Sequence, residues 1–167
     1  CTNGLTVPHS PTICNGTTTQ RCAYECDAGF SVGGNHTCRP DGAFGGGLCI
    51  ANECVPSILN NSFTRCTGVT LDSCLYHCDE GFTARGEHIC GVDGEFFGGA
   101  CEPNPCVTGL HIPYSNTSCS GVTGELCAFA CFEGYTAVGV HECRRGGAFS
   151  GGSCAANDCT RGLTLEH

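Results

Sequence analysis

Residues 22–38 read CAYECDAGFSVGGNHTC, residues 74–90 read CLYHCDEGFTARGEHIC, and residues 127–143 read CAFACFEGYTAVGVHEC. The three stretches superpose without a gap and lie inside a longer pattern. Its first set of cysteines is Cys1, Cys14, Cys22, Cys26, Cys38 and Cys49. The second is Cys54, Cys66, Cys74, Cys78, Cys90 and Cys101, and the third is Cys106, Cys119, Cys127, Cys131, Cys143 and Cys154. The gaps within a set are 12, 7, 3, 11 and 10 residues, except that the second set opens with 11. Four residues separate one set from the next, so the period is 53, 52 and 53 residues, and Cys159 stands where a fourth set would begin. Self-similarity at a fixed period identifies a tandem array.

The 19 cysteines among 167 residues are dense enough to mark a disulfide scaffold. Such scaffolds persist in oxidising surroundings, so the expected location is extracellular, either secreted or at the cell surface. A repeat of this size has too much surface for its volume to bury an adequate core. This chain has no Trp, no Met and only 9 Phe and 4 Tyr. Cross-links must supply what packing cannot, at about 2–4 kcal/mol each.

The net charge of −9, with only 7 Lys and Arg, has the wrong sign for nucleic acid or an anionic membrane surface. No apolar run approaches a membrane span, so neither nucleic acid nor membrane insertion is expected. The absence of a signal peptide reads as a mature fragment or an excised piece of a longer chain. Leu165-Glu166-His167 reads as the remnant ahead of a purification tag and is left out of the fold.

Other residues recur with the cysteines. Gly16, Gly68 and Gly121 follow the second cysteine, and Tyr24, Tyr76 and Phe129 follow the third. Gly29-Phe30, Gly81-Phe82 and Gly134-Tyr135 come next, then His36, His88 and His141, then Phe44, Phe96 and Phe149. Glycines this frequent disfavour helix, and no stretch carries a helical apolar period. The expected fold class is small, disulfide-rich and mostly β: a tandem array of three short-stranded modules with negligible helix. Cys22 to Cys26 alternates as a strand that places Cys22, Tyr24 and Cys26 on one face. Phe30 to Val32, Glu87 to Cys90 and Val140 to Cys143 are the expected second strands.

The pattern Tyr24-Glu25-Cys26-Asp27-Ala28-Gly29-Phe30, then Cys38, Asp41-Gly42-Ala43-Phe44 and Cys49, resembles the Sushi, or complement-control-protein, module. All three repeats carry it. They differ from the family in having Phe44, Phe96 and Phe149 at the place of its Trp, in being shorter, and in one extra cysteine pair each. The resemblance implies modules at 1–53, 54–105 and 106–158, with 159–167 beginning a fourth and ending in the tag remnant. Its pairing implies Cys1–Cys38, Cys26–Cys49, Cys54–Cys90, Cys78–Cys101, Cys106–Cys143 and Cys131–Cys154. The remaining cysteines would then pair as Cys14–Cys22, Cys66–Cys74 and Cys119–Cys127. Cys159 is left unpaired in this frame, whereas in a shifted frame, with repeats from Cys14 to Cys54, Cys1 is the orphan. Six cysteines allow fifteen pairings, so the pairing is the resemblance's implication. An epidermal-growth-factor-like module is the nearest rival, but it needs a one-residue gap between its fourth and fifth cysteines, where this chain has 11.

Little reads as chemistry. His36, His88 and His141 are either metal or pH-responsive groups or strand histidines bonded to a neighbouring loop; no second ligand recurs beside them, which favours the latter. Oxidised cysteines offer no thiolate to zinc. The acidic positions Asp27, Asp79-Glu80, Glu133, Asp41 and Asp93 form no regular calcium loop and read as turn carboxylates. No nucleophile sits in a Gly-x-Ser-x-Gly setting, and no phosphate loop is present. Neither catalysis nor a cofactor or metal is expected. Asn15, Asn35, Asn60 and Asn116 begin glycosylation sequons. Arg144-Arg145, Phe97, Leu59, His111 and Tyr114 differ between repeats and are candidates for a binding patch.

The connectors Ile50-Ala51-Asn52-Glu53, Glu102-Pro103-Asn104-Pro105 and Ala155-Ala156-Asn157-Asp158 are too short for free swinging. The expected function is a non-catalytic extracellular repeat segment serving adhesion or recognition as a semi-rigid rod. Its partner would be a protein or glycan at the cell surface. The alternative is a structural subunit of a coat, matrix or filament that binds neighbouring copies of itself. A secreted inhibitor or toxin fits less well, because such chains rarely repeat so evenly.

Overall fold

A computed structural model describes residues 1–158. All of its regular structure is β, in strands of two to four residues. It divides into two compact units: Cys1–His77 with Arg85–Ala100, and Cys78–Ala84 with the chain from Cys101 onward.

The first unit opens with a three-stranded antiparallel sheet in which His36–Cys38 lies between Arg21–Cys22 and Phe44–Gly45. The register sets Cys22 against His36 and Cys38 against Phe44. A strand's side chains alternate between faces. His36 and Cys38 are therefore buried, while Thr37 between them is only half-buried. A separate ribbon pairs Phe30–Gly33 with Leu48–Ala51, setting Val32 against Cys49. The same unit holds a second three-stranded sheet, with His88–Cys90 between Ser73–Cys74 and Phe96–Phe97. The second unit repeats the design. His141–Cys143 lies between Leu126–Cys127 and Phe149–Ser150, and Tyr135–Val138 pairs with Ser153–Ala156.

Sulfur occupies the interior. The most deeply buried side chains are Cys14, Cys38, Cys66, Cys90, Cys119 and Cys143. One cluster joins Cys14 and Cys38 to Phe44; another joins Cys106, Cys119 and Cys143 to Ile112 and Phe149. The bridges are Cys1–Cys38, Cys14–Cys22 and Cys26–Cys49; Cys54–Cys90, Cys66–Cys74 and Cys78–Cys101; and Cys106–Cys143, Cys119–Cys127 and Cys131–Cys154. Cys159 lies outside the described residues.

The strand expected over Cys22 to Cys26 stops at Cys22. Beyond it, side chains of an earlier loop take the backbone groups a ladder would use. The Ser10 hydroxyl donates to the carbonyl of Glu25, and the Glu25 N–H donates to Thr12 Oγ1. Ser62 and Thr64 bond His77 in the same way, and Ser115 and Thr117 bond Ala130. Ser and Thr compete with regular ladders by this kind of bond.

Candidate recognition surface and inter-repeat joints

The three recurring histidines are framework groups. His36 stacks on Phe44, with ring centroids 5.5 Å apart, and meets Tyr24 edge-on at 6.0 Å. A carbonyl can only accept, so Nε2, 2.8 Å from the Gly4 oxygen, carries the proton, and Nδ1 accepts from the Gly47 N–H at 3.3 Å. His141 repeats this with Gly109 and Gly152. His88 reverses it: Nδ1 faces the Gly98 carbonyl at 2.6 Å, so Nε2 accepts from the Ser57 hydroxyl at 2.8 Å.

The reversal coincides with the one-residue-shorter first gap of the second repeat. There Ser57 stands where Gly4 and Gly109 stand, three residues after the first cysteine. Ser57–Ile58 pairs as a strand with Arg65–Cys66, and the serine hydroxyl takes the place of the glycine carbonyl as the ring's partner.

Asp41 and Asp93 each accept the N–H two residues on, as turn carboxylates do. Among the described residues, no group of three His, Cys, Asp or Glu side chains is placed to share a metal ion. Asn15, Asn35, Asn60 and Asn116 are all exposed.

The positions that vary between repeats are spread over both compact units, each in its own local contacts. In the first unit, Phe97 is 59% exposed at the edge of its sheet and Leu59 is half-buried. In the second, His111 is exposed, and Arg144 pairs with Glu142 at 2.7 Å. Tyr114 is 54% exposed and stacks on Tyr135, with centroids 4.3 Å apart and planes 11° from parallel.

That stack belongs to a series the cysteine pattern conceals. His9 stacks on Phe30 at 4.2 Å, and Phe63, 72% exposed, lies parallel to His77 at 6.3 Å. Each repeat therefore presents one flat ring pair with apolar faces and polar edges. Aromatic residues of this kind are enriched at recognition surfaces. The first and third repeats use matching positions, five residues before the second cysteine and four after the fourth, whereas the second repeat has Asn61 at the first of these and pairs Phe63 with His77 instead.

The connectors are anchored through their asparagines. Within the first unit, the carbonyl of Gly29 accepts from the Asn52 N–H at 2.9 Å and from the Thr70 hydroxyl at 2.7 Å. The Thr70 N–H donates to the Asn52 carbonyl at 2.8 Å, and the Ser31 hydroxyl fixes Asn52 Oδ1 at 2.5 Å. Thr70 is 3% exposed. Within the second unit, Gly81 accepts from Asn104 and Thr123 at 2.8 and 2.9 Å. The Thr123 N–H donates to Asn104 at 2.9 Å, and Thr83 fixes Asn104. Glycine is required at the receiving position: Gly29 has φ +84°, and a Cβ there would lie 2.5 Å from Thr70 Cγ2. The signal was present in the sequence as one Asn per connector and one Thr four residues after each second cysteine.

No family model matches the chain. It is similar to the E-selectin of Oryctolagus cuniculus, 30% identical over 135 residues, which is 71% of this chain and 24% of that protein. It is also similar to the E-selectin of Equus caballus, 31% identical over 136 residues, 71% of this chain and 22% of that protein. The chain thus spans about a quarter of the length of these curated relatives. The similarity falls on their Sushi repeats, and a β-rich chain with nine bridges among its described residues fits modules of that kind.

Proposed function

We propose that the chain is a non-catalytic extracellular segment for adhesion or recognition, built from divergent Sushi-like modules at 1–53, 54–105 and 106–158 that each carry one added bridge. The observation that carries this reading is the joint made twice by the same residues. A connector asparagine is clamped between a glycine carbonyl of one repeat and a threonine of the next. Clamped connectors make a semi-rigid spacer, and repetition along it gives avidity to weak contacts. The exposed ring pairs supply the contacts, and the ligand is a protein or glycan at a cell surface. Similarity to the two E-selectins supports the same reading. In a eukaryotic secretory route Asn15, Asn35, Asn60 and Asn116 carry glycans, all on exposed turns or loops.

The test is an array of glycans and cell-surface proteins probed with the labelled oxidised chain, beside a version lacking residues 54–105. Capture by the intact chain that falls sharply on deletion is expected. Equal capture by the reduced, alkylated chain would defeat the proposal, as would capture of nothing by the intact one. The second reading, a structural subunit that binds copies of itself, would use the same exposed ring pairs.

A further inference from the structure

We propose that an apolar hollow in the third repeat, walled by Leu126, Phe129, Ala137 and Val140, binds a small molecule of the alkylphenol class, with a compact apolar body and one hydroxyl. The inference goes beyond the adhesion reading and does not rest on it.

The hollow lies within the second compact unit and has a volume of about 350 Å³, at the lower end of the range that takes small molecules. Its wall is this apolar in the third repeat alone. Leu126 stands where the first two repeats have Arg21 and Ser73, Phe129 where they have Tyr24 and Tyr76, and Val140 where they have Asn35 and Glu87. Leu126 is 64% exposed and Val140 56%. Three polar-to-apolar changes therefore meet on one concavity. Exposed apolar side chains that cluster mark a binding site, where scattered ones do not. Arg21, Asn35, Ser73 and Glu87 are exposed too, in repeats that are each followed by another. The face is therefore open wherever a further repeat follows.

Phe129 also defines what the ligand supplies. The Tyr24 hydroxyl donates to the Gly33 carbonyl at 2.7 Å and accepts from the Leu48 N–H at 3.1 Å. Tyr76 does the same with Arg85 at 2.6 Å and Ala100 at 3.1 Å. The two hydroxyls also reach the Gly34 and Gly86 carbonyls, at 3.3 and 3.1 Å. The matching groups of the third repeat are the Val138 and Gly139 carbonyls and the Ser153 N–H. Phe129 offers them no hydroxyl, and Gly139 itself lines the hollow. Phe129 is half-buried, whereas Tyr24 and Tyr76 are buried, so its ring is open to contact. A ligand hydroxyl seated against Gly139 takes the place of the framework hydroxyl, donating to a carbonyl and accepting from the N–H. The ligand's apolar body then lies on Phe129, between Leu126 and Val140. Removing that body from water drives binding, and the hydroxyl fixes its orientation.

The test titrates the oxidised, isotope-labelled chain with p-cresol and, separately, with toluene, which has the same body without the hydroxyl. Saturable amide shifts confined to Leu126–Phe129, Ala137–Val140 and Ser153 are expected. For p-cresol the Kd should be about 1 mM, the level usual for so small a ligand. Toluene should bind about five- to tenfold more weakly, the worth of one net hydrogen bond. Phe129→Tyr supplies the hydroxyl from the protein and should abolish the advantage of p-cresol. Val140→Asn should weaken both ligands about fourfold, the loss of roughly one buried methylene's contact. Both substitutions install residues that other repeats carry at the same place, Tyr24 and Asn35, so the fold is kept. Shifts that do not saturate, or that fall equally on the matching residues of the first two repeats, overturn the proposal. Equal affinity of the unaltered chain for the two ligands also overturns it, as does an advantage of p-cresol that survives Phe129→Tyr. None of these results touches ligand capture on the array, so the two proposals fall separately.

Discussion

Gly29 and Gly134 offer a substitution with its control inside one molecule. Both precede an aromatic residue at matching places in their repeats, with φ +84° and +86°. Alanine at either carries the same left-handed strain, about 1–2 kcal/mol. At Gly29 the added methyl also lies 2.5 Å from Thr70 Cγ2 and 2.9 Å from Val92 Cα. The first can move with its side chain. The second is backbone and cannot, so a further overpacking cost of about 1–3 kcal/mol applies. At Gly134 that second cost is absent. The readout is native-state amide exchange at Asn52 and Thr70, whose N–H groups close the joint. A 2 kcal/mol loss, within the ~1–3 range, opens it about thirtyfold more often. Gly29→Ala should therefore accelerate both amides by about that factor, while Gly134→Ala leaves them unchanged. If the two substitutions affect Asn52 and Thr70 alike, or neither does, the joint is not held by the contact described.

Three further outcomes are expected. Tyr24 OH donates to Gly33 and accepts from Leu48, and Tyr76 does the same with Arg85 and Ala100, whereas Phe129 has no hydroxyl. Phe129→Tyr should therefore stabilise its repeat by about 1 kcal/mol in oxidised thermal melts. Long-range nitrogen–proton correlation spectra should show His88 protonated on Nδ1 and His36 and His141 on Nε2; Ser57→Ala should disturb only His88. Removing Cys14–Cys22, a loop of 8 residues, should cost about 1 kcal/mol less than removing Cys1–Cys38, a loop of 37, by the chain-entropy difference. Denaturant titration of the two double-alanine variants checks this last one.

The cysteine period and the spacing of glycines made the fold class legible, because neither tolerates helix. The central His-x-Cys strand was legible in the second and third repeats, as Glu87 to Cys90 and Val140 to Cys143, but not at His36–Cys38, where Phe30 to Val32 was expected instead and belongs to the separate ribbon. The strand expected over Cys22 to Cys26 was misjudged. Alternation is a property of side chains, whereas that backbone is claimed by Ser10 and Thr12, more than ten residues upstream. The recurring Ser-x-Thr at 10–12, 62–64 and 115–117 marks those bonds in the sequence, but only once one knows that they compete with a ladder. The ring pairs stayed hidden for another reason. His9 and Tyr114 reach partners 21 residues on, while Phe63 and His77 use other positions. The column of His9 and Tyr114 holds Asn61 in the second repeat, so it does not read as aromatic. The joint is the opposite case: Asn52, Asn104 and Asn157 align perfectly, but a lone asparagine in a four-residue connector reads as an ordinary turn residue until its partners are seen.

The replacement of an apolar interior by oxidised sulfur is checked by peptide mapping of the unreduced protein. It predicts three peptides held by the short loops Cys14–Cys22, Cys66–Cys74 and Cys119–Cys127, with the other six bridges closing each repeat end to end. Recovery of Cys22 joined to Cys38, or of free thiols among these eighteen cysteines, would contradict it.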